Sequence, residues 1–217
     1  MLIRNNLVKD AAYDLRFLLN RNYKKKGALA FVANKYLLSL DERNYVARCV
    51  FSDSKSAFRK NKLVDLHEID GNSILVDGFN VLITVESICR KDYEYLILCD
   101  DGVIRDLNAV FGKYKINEMT EIALNTILDL LKNNNPLKID FFFDKQVSFS
   151  GKLANLTEEI MDVKELNGEA ILSKNVDFEI IKIMKDKNDI VATSDGIIMD
   201  KVVRIVDLPF YLLKKIK

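Results

Sequence analysis

Histidine is almost absent from this 217-residue chain, with His67 standing alone, and cysteine is scarce: Cys49, Cys89 and Cys99. Three thiols without CxxC spacing, in apolar or strand-like contexts, read as buried reduced cysteines, and one histidine does not complete a zinc site with them. No apolar run approaches the roughly 20 residues that span a bilayer. The opening Met1-Leu-Ile-Arg-Asn-Asn6 lacks the apolar centre of a signal peptide, so the expected location is the cytoplasm and no membrane partner is expected. No GxGxxG follows an apolar strand, which argues against a dinucleotide site. The segment Cys99-Asp-Asp-Gly-Val-Ile-Arg-Asp106 lacks the alternating ligands and closing Glu of a calcium loop.

What is present is 49% apolar and 30% charged, enough to bury one good core and a smaller appendage. The net charge of +1 hides an asymmetry. Residues 1–62 hold 14 Lys+Arg against 5 Asp+Glu, whereas residues 63–217 hold 19 against 27. A basic head joined to an acidic body pairs a polyanion-binding element with a domain rich in carboxylate ligands. Apolar residues at helical spacing predict three helices in the head, over Ala11–Leu19, Ala28–Leu38 and Glu42–Phe51, and Ser39 with Glu42 predicts a capping box. Lys24, Lys25 and Lys26 in a turn, Arg43 and Arg48 on the third helix, and Arg59, Lys60 and Lys62 beyond it are the expected phosphate contacts. Tyr23, Tyr36 and Phe58 are available for stacking. A solvated face that only keeps the protein soluble is the plainer account of the same charges.

From residue 63 strands alternate with helices. Strands are expected at Ser73–Val76, Tyr95–Cys99, Lys138–Phe143, Ile190–Thr193 and Val202–Val206, with another near Glu169–Leu172. Helices are expected at Val81–Ile88, Met119–Lys132, Leu153–Val163, Phe178–Lys185 and Pro209–Ile216. Ile-Leu-Val and Phe-Phe-Phe, apolar on both faces, suit a parallel sheet covered on each side, so residues 63–217 read as a three-layer α/β/α domain.

Three of these strands run straight into an aspartate: Ser73-Ile-Leu-Val-Asp77-Gly-Phe-Asn80, Ile139-Asp-Phe-Phe-Phe-Asp144 and Ile190-Val-Ala-Thr-Ser-Asp195. A parallel sheet brings such carboxylates to its carboxyl edge, where open α/β folds place their sites, and the repetition points to a divalent cation and phosphoryl chemistry. Each aspartate also has an ordinary reading as a helix cap or turn residue. Thr193, Ser194 and Asn80 are polar neighbours suited to orienting a substrate. Asp177, read as the cap of the next helix, is aimed at the same edge. Asp100 and Asp101, placed by this reading at the end of a second strand, would face it too; Asp101 reads more naturally as part of a turn.

In order and spacing these elements resemble the PIN-like nuclease superfamily, including its NYN branch, over roughly residues 70–208. The matching elements are Ile74-Leu-Val-Asp77-Gly-Phe-Asn80, Phe143-Asp144, Val176-Asp177 and Ala192-Thr-Ser-Asp195. The whole chain also resembles an uncharacterised prokaryotic family in which a small helical domain precedes a PIN-like one. The resemblance implies a ribonuclease dependent on Mg²⁺ or Mn²⁺, held by Asp77, Asp144 and Asp195, with Asp177 joining them or positioning the attacking water, RNA as partner and homodimers as one assembly state. Asp100 is a further metal-ligand candidate by its strand-end position alone, since its segment has no place in the family pattern. It also implies a further acid, for which Glu86, Glu118 and Glu121 are the candidates. A haloacid-dehalogenase-like phosphatase would need a second Asp where Phe79 stands. The rival class is a non-catalytic RNA-binding or protein-interaction module on the same fold.

Overall fold

The computed structural model describes residues 6–108, 114, 116–184 and 189–216. The chain forms two compact units, Met1–Asn61 with Tyr93–Val110, and Lys62–Asp92 with Phe111–Lys217.

In the first unit four helices stand where three are expected: α1 (Asn6–Asn20), α2 (Lys25–Lys35), α3 (Leu40–Cys49) and α4 (Asp53–Lys60). The predicted third helix stops at Cys49, and Ser52 starts another by accepting a hydrogen bond from the Lys55 N–H. The capping box forms: Ser39 Oγ accepts from Glu42 N, and Ser39 N donates to Glu42 at 2.8 Å. Ala11, Ala12 and Leu15 of α1 pack on Ala28, Val32 and Ala33 of α2 and on Val46 of α3.

The expected strand at Tyr95–Cys99 exists only as β2 (Leu96–Leu98), and it is no part of a parallel sheet. It pairs antiparallel with β3 (Ile104–Asp106) around the turn Asp100–Gly102. Ile97, Cys99 and Leu107 of this hairpin form a small core with Cys49. The apolar run is extended, as expected, but its partner lies eight residues away in the chain and not in the parallel sheet.

The second unit is a three-layer α/β/α domain. Among the described residues its sheet contains β1 (Ser73–Asp77), β4 (Lys138–Asp144), β5 (Gly168–Ser173), β6 (Ile190–Ala192) and β7 (Ile205–Val206). The order is β5-β4-β1-β6-β7, with every pairing parallel. The strand near Glu169 is therefore real, as the edge of the sheet. Helices α5 (Gly78–Arg90), α6 (Glu118–Lys132), α7 (Ser150–Val163) and α10 (Leu208–Ile216) touch in the series α10, α5, α6, α7 and form one layer. Helices α8 (Val176–Ile183) and α9 (Gly196–Lys201) touch each other and form the second. The expected end of the helix at Lys185 falls outside the described residues. Phe141, Phe142, Phe143 and Ile74 are fully buried, as strands covered on both faces require.

Right-handed crossovers explain the layers. From β1 the chain steps to β4 and β5 on one side, then returns across β1 to β6 and β7 on the other. The direction reverses between β1 and β6. That switch point is where open α/β sheets bind ligands.

Candidate active site

Asp77 ends β1 and Thr193-Ser194-Asp195 follows β6, so the switch point is lined by these residues. Thr193 Oγ1 donates to Asp77 Oδ2 at 2.8 Å and accepts from the Asp195 N–H at 2.9 Å. Asn80, one turn into α5, accepts from both Ser194 N (2.8 Å) and Ser194 Oγ (2.9 Å). The loop after β6 is thus fixed to the start of α5 by side chains singled out in the sequence. On the other side of β1, Gly78 lets the start of α5 lie close against β4: a Cβ there would stand 2.4 Å from the Phe143 ring and 2.8 Å from the Phe142 carbonyl oxygen.

The electrostatics tie four carboxylates together. Burial pushes the Asp77 carboxyl up to about 7; the Thr193 hydrogen bond opposes this, and the charges of Asp195 and Asp177 reinforce it. Asp177 is also raised, first by burial and then by Asp195 and Asp144. Asp144 ends β4, half-buried, and accepts from the Gln146 N–H at 2.7 Å. Asp195 caps α9, accepting from Ile197 N at 2.7 Å and Ile198 N at 3.2 Å.

Asp177 does not cap its helix. That position belongs to Asn175, whose side chain accepts from Phe178 N at 3.2 Å, leaving Asp177 in the first turn of α8. Asn175 was overlooked because Asp177 offered an equally good cap two residues on; the position of the first helical residue, Val176, decides between them. A second residue missed by sequence reasoning is Asp207, which follows β7 at the same edge and is buried. It accepts from Phe210 N at 3.1 Å at the start of α10.

The candidates for a further acid separate clearly. Glu86 is buried in α5 and accepts from Arg90, from Tyr114 at 2.6 Å and from Thr120 at 2.7 Å, so it ties α5 to the start of α6. Glu118 and Glu121 are exposed in the first turn of α6. Asp100 has another role, in the first unit. Both of its oxygens accept from Arg16, at 2.8–3.0 Å, and Oδ2 also accepts from Phe51 N, so it is an ion-pair anchor of the helical unit. The expectation that it lies at the parallel sheet's edge fails with the strand that was to carry it. Asp101 is fully buried between Arg59 and Arg105, with contacts of 2.7–2.8 Å.

The same contacts redistribute the basic residues. Arg59 is buried, and Arg48 donates to the Asp106 carbonyl at 2.9 Å. Lys25 donates to the Val50 carbonyl at 2.9 Å, sits 3.9 Å from the centre of the Phe51 ring, and is lowered to about 8 by burial. Arg43 donates to Leu38 and Asn34. Lys62 lies in the second unit, donating to the Met199 carbonyl at 2.8 Å. Lys24, Lys26 and Lys60 remain exposed. With residues 93–110 included, the first unit carries 14 Lys+Arg against 9 Asp+Glu, so the basic excess is smaller than residues 1–62 alone indicate.

An all-oxygen set of mutually repelling carboxylates is the donor chemistry of a hard divalent cation. Among the described residues, however, no group of three or more His, Cys, Asp or Glu is arranged to hold a metal ion in the rotamers present. Nor, among them, is any helix long and apolar enough to cross a membrane.

Fold and site together define a parallel α/β domain with an acidic switch point. The chain belongs to the family described as "Domain of unknown function (DUF5616)", whose model matches residues 66–211, while residues 7–62 match "Protein of unknown function (DUF434)". It is 41% identical over 203 residues to the uncharacterized protein MJ0935 of Methanocaldococcus jannaschii, a match covering 93% of this chain and 94% of that one. No solved structure matches.

Proposed function

We propose that the second unit is a PIN-like, metal-dependent ribonuclease acting in the cytoplasm, with Asp77, Asp144, Asp177 and Asp195 as its acidic centre. The observation that carries this reading is the placement of the four carboxylates along one edge of the sheet, at the ends of β1 and β4, at the start of α9 and in the first turn of α8, where burial and their neighbours' charge raise Asp77 and Asp177. Mg²⁺ or Mn²⁺ would supply the countercharge and activate a water for attack on a phosphodiester. Thr193 orients Asp77, and Asn80 holds the Ser194 backbone and hydroxyl, so the chain's own contribution is a preset edge on which the acids are presented. Of the phosphate contacts expected from the sequence, Lys24, Lys26 and Lys60 are exposed and available.

A binding module without catalysis is favoured by a different observation: the Asp195 carboxylate is already engaged by two helix N–H groups. The two readings separate in one experiment. On the nuclease reading Mn²⁺ raises the melting temperature of the full chain, Asp77→Asn weakens that shift, and labelled single-stranded RNA is cut only with metal. RNA bound tightly in chelator and never cut in Mn²⁺ establishes the binding module instead.

A further inference from the structure

Two aromatic side chains stand exposed where the chain leaves the acidic edge. Phe149 ends the loop after β4, five residues beyond Asp144, and is 61% exposed; Phe178 follows Asp177 directly and is 60% exposed. Neither has the surroundings of a core residue, although both are as apolar as the buried Phe141–Phe143 of the same domain. Phe149 moreover adopts φ +65°, a left-handed backbone that a bulky side chain enters only at a cost.

The two loops that carry them are joined. Lys145 N donates to the Ser173 carbonyl at 2.7 Å, and Gln146 Nε2 donates to the Lys174 carbonyl at 3.2 Å, so the exits of β4 and β5 form one rim. On that rim Lys145 and Lys174 are exposed, and Lys152 follows on the first turn of α7 with its ammonium 5.3 Å from the Phe149 ring centre. None of the three lysines forms an ion pair with another described residue. Cations interleaved with exposed rings are how sequence-tolerant sites hold a single strand: lysines track the phosphates, and each ring offers its face to an unpaired base. A duplex keeps its bases stacked on one another and has none to offer.

Building on the ribonuclease reading, we infer that Phe149 and Phe178 are stacking platforms flanking the acidic edge, with Lys145, Lys152 and Lys174 guiding the phosphates, and that the polynucleotide bound there is single-stranded. The platforms select for unpaired bases, and a divalent cation held by the carboxylates would take the phosphodiester between them.

The test is equilibrium binding of the full chain, in chelator, to an RNA dodecamer carrying 2-aminopurine, read by fluorescence quenching across a salt series. Phe149→Ala and Phe178→Ala should each weaken binding about tenfold, since one stacked base is lost, and leave the salt slope unchanged. Lys145→Ala with Lys174→Ala should lower the slope. Tyrosine at either position should retain affinity, and a strand abasic in the bound register should bind the wild type and the alanine variants alike. Phe149→Gly is the variant that guards against a folding artefact: it relieves the left-handed strain, so its melting temperature should rise while its affinity falls. Unchanged affinity in both alanine variants, equal losses on the abasic strand, duplex bound as well as single strand, or no binding by the wild type overturns the proposal. So does an alanine phenotype confined to self-association, which would make the rim a protein interface. A strand quenched in chelator but never cut in Mn²⁺ sinks the nuclease reading alone. Cutting that is indifferent to both alanines sinks the platforms alone.

Discussion

Burying a carboxylate without a cationic partner favours its protonated form, and Asp77 is held in that situation by the strand that ends with it. Its folded value near 7 lies above the ordinary carboxylate value near 4, so between those two limits the folded protein retains a proton that the unfolded chain has released. The sign is therefore the reverse of a salt-bridged aspartate: stability is lost as pH rises from about 4 to about 7, and changes no further from this source above that. Asp77→Asn keeps an acceptor for Thr193 and removes the titration. In chelator the variant should melt several degrees above the wild type at pH 8, a gain of about 2–4 kcal/mol, and by a much smaller margin at pH 4.5. Parallel pH profiles for the two proteins would show that Asp77 is not carrying this proton. The same burial makes Asp77 the carboxylate with most to gain from a divalent cation.

At the scale of elements, the start of α8 separates a capping residue from a site residue. Asn175 accepts from the Phe178 N–H, so Asn175→Ala should cost about 1 kcal/mol in denaturant unfolding. Asp177→Asn should cost little or add stability, because it relieves the charges of Asp195 and Asp144. The opposite order would return Asp177 to a capping role. This pair also shows what a sequence can and cannot carry. The parallel strands were legible because Ile74-Leu-Val76 and Phe141-Phe-Phe143 are apolar on both faces, and the three strand-ending aspartates follow from the same pattern. The choice between Asn175 and Asp177 was not legible, since both are good caps and only the first helical backbone angle distinguishes them. Nor was α9, whose six residues are too few to show a period. The antiparallel pairing of Leu96–Leu98 was hidden for another reason. Its apolar run looks like that of a sheet strand, and strand pairing is a non-local property that composition does not encode.

At the scale of the whole molecule, the connection between α5 and α6 makes an excursion that belongs with the N-terminal helices. Tyr93–Val110 groups with Met1–Asn61, its Ile97, Cys99 and Leu107 share a core with Cys49, Arg16 holds Asp100, and Arg59 joins Arg105 on a fully buried Asp101. Two family matches that meet near residue 62 invite a cut there, yet that cut severs these contacts. Removing residues 1–61 alone would leave the hairpin's apolar side chains in water and Asp101 without one of its two guanidinium partners, a class of change that costs about 3–5 kcal/mol when the charge stays buried. Such a truncation should elute as aggregate and be clipped by protease within residues 93–110. Removing residues 1–61 and replacing residues 93–110 by a short Gly-Ser connector should instead yield a monodisperse α/β domain that still shows the Mn²⁺ thermal shift, because every carboxylate of the acidic edge lies in Lys62–Asp92 or Phe111–Lys217. If the simple truncation is as soluble and as stable as the double one, the hairpin does not depend on the helices. If the double truncation loses the thermal shift, the first unit contributes to the cation site, and the division of labour between a phosphate-contacting head and a self-sufficient acidic body is wrong.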